Sequence, residues 1–265
     1  MRMSQLGLID ALAIQRRVVH ALLMRELITR YGREGLGMLW FFLEPLLMTL
    51  VITIIWYYLH LNKISSLPVV AFAFTGFSAL QLWRNAVNRA AKALEPNQGL
   101  LTHRNVKLLD VFLARILLEW ASATAAFLIL GLTFAVIGVV SLPEDMGYVL
   151  GGWLLLAWFS MGLGLVVGAL SVRFREFEKL WRPMNYPLFI VSGVFFMVDW
   201  LPASVQEFIL WVPMVHGNEM IRQGFFGSIA PTYGDPAYLA LVNLIVTFIG
   251  LALAGYAQRS SVEQV

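Results

Sequence analysis

RELITRYGREGLGMLWFFLEP, residues Arg25–Pro45, is the stretch on which the reading of this chain turns. Its first half carries Arg25, Arg30 and Arg33. Through Leu36 and Gly37 it then runs into a long apolar segment interrupted by Glu44 and Pro45. A basic segment leading into an apolar run holds the start of a spanning helix on the cytoplasmic side. A carboxylate within a span costs roughly 2.5–3.5 kcal/mol on insertion scales, so Glu44 needs a cation or water beside it. Pro45 also removes the backbone donor owed to the carbonyl of Phe41, which kinks a helix. Channel lining and a structural ion pair both fit Glu44, with Arg84 and Arg89 as the candidate cations.

The rest of the chain agrees with a membrane protein. Of 265 residues, 59% are hydrophobic and 13% charged, with a mean hydropathy of +0.74. An ordinary soluble domain is charged at about a quarter of its positions. Spans need about 20 mainly apolar residues. Such segments fall at about 36–59, 67–83, 111–140, 148–172 and 238–257, with a shorter one at 183–198. The expected fold class is therefore all-α, a polytopic protein of six transmembrane helices. A short apolar core followed by a small-residue cleavage site is missing near Met1, so the reading includes no removable signal peptide. The chain has no cysteine, which excludes disulfides, thiol catalysis and Cys-ligated metals.

Placing the N-terminus inside puts every Lys and Arg except Lys63 and Arg222 on the cytoplasmic side. Both termini are accordingly expected in the cytoplasm. The basic pI of about 9.3 then follows from topology and gives no reason to expect nucleic-acid binding.

Three parts follow: residues 1–35 as a cytoplasmic interface helix, 36–258 as the transmembrane domain and 259–265 as a cytoplasmic tail. In the first part Leu6, Ile9, Leu12, Val19, Leu22, Leu23 and Leu27 alternate with charged residues, as in a helix lying on the inner leaflet or packed on a partner. The cytoplasmic loop at 85–110 contains Glu95, Pro96, Asn97, Gln98 and Gly99, which break the helical pattern, followed by Leu100, Leu101 and Arg104. The loop at 173–182 interleaves Arg173, Arg175 and Glu176 with Phe174 and Phe177. Apolar residues among the charges favour contact with a partner over simple anchoring. The outer segment 199–236 includes an apolar stretch, 208–215, too short to cross about 30 Å at 1.5 Å per residue. Short re-entrant or interfacial helices at the outer mouth are expected there, since irregular backbone at membrane depth needs cover from protein or water.

Several familiar chemistries find no support. No G-x-x-x-x-G-K-[ST] loop is present, so energy from nucleotide must come from a partner. His20, His60, His103 and His216 are scattered without metal-ligand spacing, and no metal site is expected. Gly164 and Gly168 read as a close helix-packing face. His216, Glu219 and Arg222 recur at three-residue steps and share a helix face, either a site or a salt-bridged structural face. Arg115 and Glu119, four apart, are candidate mutual partners. Trp40, Phe41 and Phe42 match an aromatic belt, the commoner role of such residues, with stacking on sugar rings as the alternative.

Taken in order, these residues resemble a known family. Arg25-Glu26, Thr29-Arg30-Tyr31-Gly32-Arg33, Leu36-Gly37, Leu39-Trp40 and Glu44-Pro45 carry the resemblance in the first part. His103-Arg104-Asn105-Val106-Lys107, Arg173-Phe174-Arg175-Glu176 and Ser192-Gly193-Val194-Phe195-Phe196 continue it, with Pro213, His216, Glu219 and Arg222. The pattern is similar to the permease subunit of type-2 ABC exporters, most closely the inner-membrane subunit of bacterial group 2 capsular polysaccharide exporters. That resemblance implies a homodimer lining a central channel, with two copies of a cytoplasmic ATPase that binds ATP and Mg. It further implies a periplasmic adaptor, an outer-membrane channel and an acidic, lipid-anchored polysaccharide as substrate. Glu95, Asn97, Gln98, Gly99, Leu100, Leu101 and Arg104 would couple to the ATPase, with Arg173, Arg175 and Glu176 as a second contact. Arg25, Arg30, Tyr31, Arg33, Trp40, Glu44, Arg84 and Arg89 would line the inner mouth, and Pro213, His216, Glu219 and Arg222 a periplasmic gate. O-antigen and teichoic acid exporters are the nearest alternatives. A secondary transporter and a membrane-embedded transferase are more distant ones.

Overall fold

A computed structural model describes residues 8–31, 37–58, 67–93, 106–229 and 231–262. The described residues form nine α-helices and two short 3-10 helices, with no strand among them. In chain order they are α1 (Leu8–Tyr31), α2 (Gly37–Tyr58), α3 (Val69–Ala91), α4 (Leu108–Val136) and α5 (Met146–Arg173). Then come α6 (Arg175–Val191), α7 (Ala203–Ile209), α8 (Pro213–Phe226) and α9 (Pro236–Val262).

By length and apolarity 3 helices, α4, α5 and α9, are able to cross a membrane, and α2 contributes the shorter apolar stretch Leu46–Ile55. The other two expected spans depart from the simple pattern. The helix expected to end near residue 83 continues as α3 to Ala91, so Arg84, Asn85, Asn88 and Arg89, expected at the start of a loop, are helical. Neighbouring helices supply Asn88 and Arg89 with partners. Helix α6 begins at Arg175, inside the loop expected at 173–182, and stops at Val191. Only Phe174 separates it from α5. Its 17 residues reach about 25 Å, short of a 30 Å hydrocarbon core. Pro183 and Pro187 lie within it, each leaving the carbonyl four residues earlier without its helical donor.

Helix α3 is the centre of the bundle. Residues 71–80 are buried without a break, the pattern of a helix enclosed on all sides. Phe74 stacks on Phe127 of α4 at 5.1 Å, and Phe127 stacks on Trp153 of α5 at 4.4 Å. Leu128, Leu132 and Val136 of α4 and Leu241, Leu244 and Phe248 of α9 face outward. In water such an apolar face is an aggregation hazard, whereas in lipid it is the solvated surface.

Small residues set the spacing within this bundle. A Cβ added at Gly168 would lie 2.8 Å from the Phe112 ring and 3.1 Å from the carbonyl of Ala90, and one at Gly164 would lie 3.0 Å from Ile116. The glycine face thus brings α5 onto α3 and α4, as its spacing predicts. Three indoles at depth are paired across helices. The indoles of Trp120, Trp153 and Trp158 donate to Ser160, Thr124 and Thr247 at 2.7, 3.0 and 3.0 Å.

Helix α1 is docked on α4. Gln15 donates to Asp110 at 3.0 Å, and Glu26 accepts an ion pair from Arg115 at 3.1 Å.

Candidate functional site

Charged side chains gather at two levels of the bundle. One lies where α3 ends and α4 begins. Arg89 on α3 pairs with Glu119 on α4 at 3.1 Å, and Arg115 one turn away pairs with Glu26 of α1. The spacing made Arg115 and Glu119 candidate partners of one another. The fold separates them because each helix of the bundle offers a better-placed counter-ion than the next turn of the same helix. Arg115 also donates to the carbonyls of Arg89 and Lys92 at 3.1 and 2.7 Å, placing a cation on the last carbonyls of α3. At the start of α4, Asp110 accepts from the Lys107 amide at 3.0 Å, and Gln258 of α9 accepts from the Leu108 amide at 2.5 Å. Both ends of the intervening segment are therefore fastened to α1, α4 and α9. A force applied to that segment would reach four helices through short, directional contacts.

The outer level is built on α8. Arg222 has no exposed surface and reads the turn that follows α6. It donates to the carbonyls of Gly193, Val194 and Phe196 at 2.5, 2.8 and 2.7 Å, and its guanidinium stacks on Phe72 at 3.9 Å. Gly193 makes that turn possible with φ +84°, a conformation costly for any side-chain-bearing residue. Gly76 leaves the space, since a Cβ there would lie 2.8 Å from an Arg222 nitrogen. Glu219 accepts from the amides of Val198 at 3.3 Å and Tyr233 at 3.1 Å. His216 accepts at Nδ1 from the Asp235 amide at 3.0 Å, which leaves Nε2 to donate to the Leu210 carbonyl at 2.8 Å. Burial pushes the Glu219 carboxyl above the usual range, opposed by the Arg222 guanidinium. Burial likewise lowers Arg222 to about 10, with Glu219 opposing, so the guanidinium stays charged at neutral pH.

Of the two readings of the His216, Glu219 and Arg222 face, the geometry selects the structural one, though its partners are backbone groups. The three side chains tie α8 to the turns at 192–198 and 231–235. Pro213 opens α8 at a first-turn position, where its missing donor is harmless.

The remaining expected site residues are distributed as follows. Glu95, Asn97, Gln98, Gly99, Leu100, Leu101, Arg104 and Arg33 lie outside the described residues, as do the side chains of Arg30, Tyr31, Trp40, Glu44 and Arg175. Arg25 is exposed on α1. Arg173 lies over Phe174 and Tyr256 at 5.4 and 5.9 Å. Glu176 pairs with Lys179 at 2.9 Å in water, an interaction of little energetic weight. Arg89, a candidate partner for Glu44, is bound to Glu119. Arg84 lies 5.6 Å from the Phe189 centroid. Sequence reasoning passed over Asn88, Trp181 and Asn185. The Trp181 indole donates to Asn88 at 2.8 Å, and the Asn185 amide donates to the Trp181 carbonyl at 3.0 Å. The four-residue spacing of Trp181 and Asn185 on α6 was the available signal.

A helical bundle with three helices long and apolar enough to cross a membrane defines a membrane protein. The ABC-2 type transporter family model matches residues 17–226, and the chain belongs to that family. It is 49% identical over 244 residues to the capsule polysaccharide export inner-membrane protein CtrC of Neisseria meningitidis serogroup B, with 92% of each chain covered. It is 43% identical to the capsule polysaccharide export inner-membrane protein BexB of Haemophilus influenzae, again over 92% of each. To the polysialic acid transport protein KpsM of Escherichia coli it is 31% identical, over 91% of this chain and 93% of the relative.

Proposed function

We propose that this chain is the membrane-spanning permease subunit of an ABC exporter carrying capsular polysaccharide across the bacterial inner membrane. The observation that carries the reading is the 49% identity extending over 92% of both chains to a capsule export inner-membrane protein.

In this reading α2, α3, α4, α5, α6 and α9 are the six spans, both termini are cytoplasmic, and two copies of the chain form the channel. The sequence contains no phosphate-cradling loop, so ATP and Mg belong to two copies of a separate ATPase. That ATPase would press on residues 93–104, the segment whose two flanks the Arg115 and Asp110 contacts fasten. The basic inner mouth suits an acidic, lipid-anchored polymer, because clustered cations draw polyanions. Helices α7 and α8 would form the periplasmic gate, delivering polymer to an adaptor and an outer-membrane channel.

Deleting the gene should abolish surface polysaccharide and leave polymer inside the cell, with restoration by the intact chain. Surface polysaccharide unchanged on deletion would refute the reading. Charge reversal at Arg104 together with Leu100→Ser and Leu101→Ser should leave the ATPase turning over while export stops. Export at the normal rate would remove the coupling role from that segment.

A further inference from the structure

The ion pairs of the inner half of α3 leave one arginine unaccounted for. Arg89 is bound to Glu119, whereas Arg84, five residues further out, meets no carboxylate among the described residues. Its Nε is buried without a hydrogen-bond partner, and its guanidinium faces the ring of Phe189 on α6. The Asn88–Trp181 hydrogen bond fixes the register of α3 against α6. From it, Arg84 is four residues outward on α3, about 6 Å, and Phe189 eight residues outward on α6, about 12 Å. The guanidinium therefore reaches away from cytoplasmic water and into the depth of the bundle, the direction in which side chains of α3 naturally lean. An arginine seeking only the inner interface would extend the other way.

Across the seam, Asn185 is 5% exposed, and its Oδ1 is buried without a donor. The amide orientation is set by its nitrogen bonding the Trp181 carbonyl. Trp181, Asn185 and Phe189 recur every four residues and share one face of α6. Native structures rarely leave buried polar atoms unpaired, and those left so point to an absent partner. Here an arginine whose Nε has no partner lies on α3 and an amide oxygen without a donor lies on α6, with an α6 aromatic ring beside the guanidinium. A sugar bearing an oxyanion is the complement: the oxyanion for Arg84, a hydroxyl for Asn185, a C–H face for Phe189. Intramembrane charges that lack a protein partner mark substrate paths.

We propose that Arg84, Asn185 and Phe189 form a membrane-depth subsite for the acidic sugars of the exported polymer. The proposal rests on the exporter reading above and assigns a residue set to it. The test uses the full chain in lipid nanodiscs and a fluorescent uronic-acid hexasaccharide, followed by anisotropy. Arg84→Gln should weaken binding about tenfold and Arg84→Lys less, since Lys keeps the charge but loses the fork. The carboxyl-reduced hexasaccharide should bind all three chains alike. Equal affinity of the wild type and Arg84→Gln for the acidic probe would overturn the proposal, as would wild-type binding indifferent to carboxyl reduction. Native mass spectrometry follows bound phosphatidylglycerol in the same samples. Loss of that lipid in Arg84→Gln, with hexasaccharide binding unchanged, would overturn the proposal and give the guanidinium to a lipid headgroup. These outcomes are separate from the deletion test, which bears on export itself.

Discussion

Replacing Arg222 with alanine tests the reading of α8 as a scaffold. Three carbonyls of the turn after α6, those of Gly193, Val194 and Phe196, depend on this one guanidinium, which is fully enclosed and stacked on Phe72. A buried acceptor left without its donor costs about 1–3 kcal/mol. Three would give about 3–9 kcal/mol, and relaxation of a turn brings the expected loss to the lower part, about 4 kcal/mol. For a chain of this size 1 kcal/mol moves the melting temperature by about 2–4 °C, so Arg222→Ala should melt about 10 °C lower. Lysine keeps the charge and reaches fewer carbonyls, so Arg222→Lys should fall between the two. The assay is thermal unfolding in detergent, followed by tryptophan fluorescence and by loss of the monodisperse size-exclusion peak. Trp200, stacked on Phe72 at 5.1 Å, is a local reporter of the same turn. If Arg222→Ala melts within about 2 °C of the wild type, the three hydrogen bonds do not hold the turn and the argument fails.

Gly76→Ala improves helix propensity yet places a Cβ 2.8 Å from Arg222 and 3.1 Å from the Val194 carbonyl, so a net loss of about 1–3 kcal/mol is expected by the same melting assay. A gain would mean that the turn is free to move. For the inner network, Glu119 is almost fully buried while Arg89 is 42% exposed. Arg89→Gln should therefore destabilise more than Glu119→Gln, because it removes an ion-pair partner from a buried charge, and the double variant should recover part of the loss, about 1–2 kcal/mol. Additive losses would argue against the pair. With the Arg84 and Arg104 variants described above, these probe the outer scaffold, the membrane-depth seam and the inner clasp separately.

Composition and the distribution of Lys and Arg were enough for the class of fold, because hydrocarbon admits helices whose backbone is satisfied internally and basic loops resist translocation. Span boundaries were legible where the apolar run is long and uninterrupted, as in α4, α5 and α9. They were misjudged where polar residues continue the helix. The polar end of α3 reads as loop until Trp181, Glu119 and Arg115 are seen to partner it, and α6 is helical through the charged residues expected to form a loop. The candidate residues divide in the same way. The His216, Glu219 and Arg222 face was visible as a three-residue recurrence, but a recurrence does not say whether its partners are ligands, one another or backbone. Arg115 and Glu119 look paired at four-residue spacing until α1 and α3 bring Glu26 and Arg89 closer.

Sequence by itself determined that this chain is a helical membrane protein and which transport family its residue order resembles. These are consequences of solvent and composition that act on each segment locally. Tertiary structure decided which charge meets which: Arg222 on three carbonyls, Arg89 on Glu119, Arg115 on Glu26, and Arg84 left facing Phe189. Pairing in a bundle depends on interhelical register, which close glycine contacts such as Gly168 against Phe112 help set, and no local pattern carries that information.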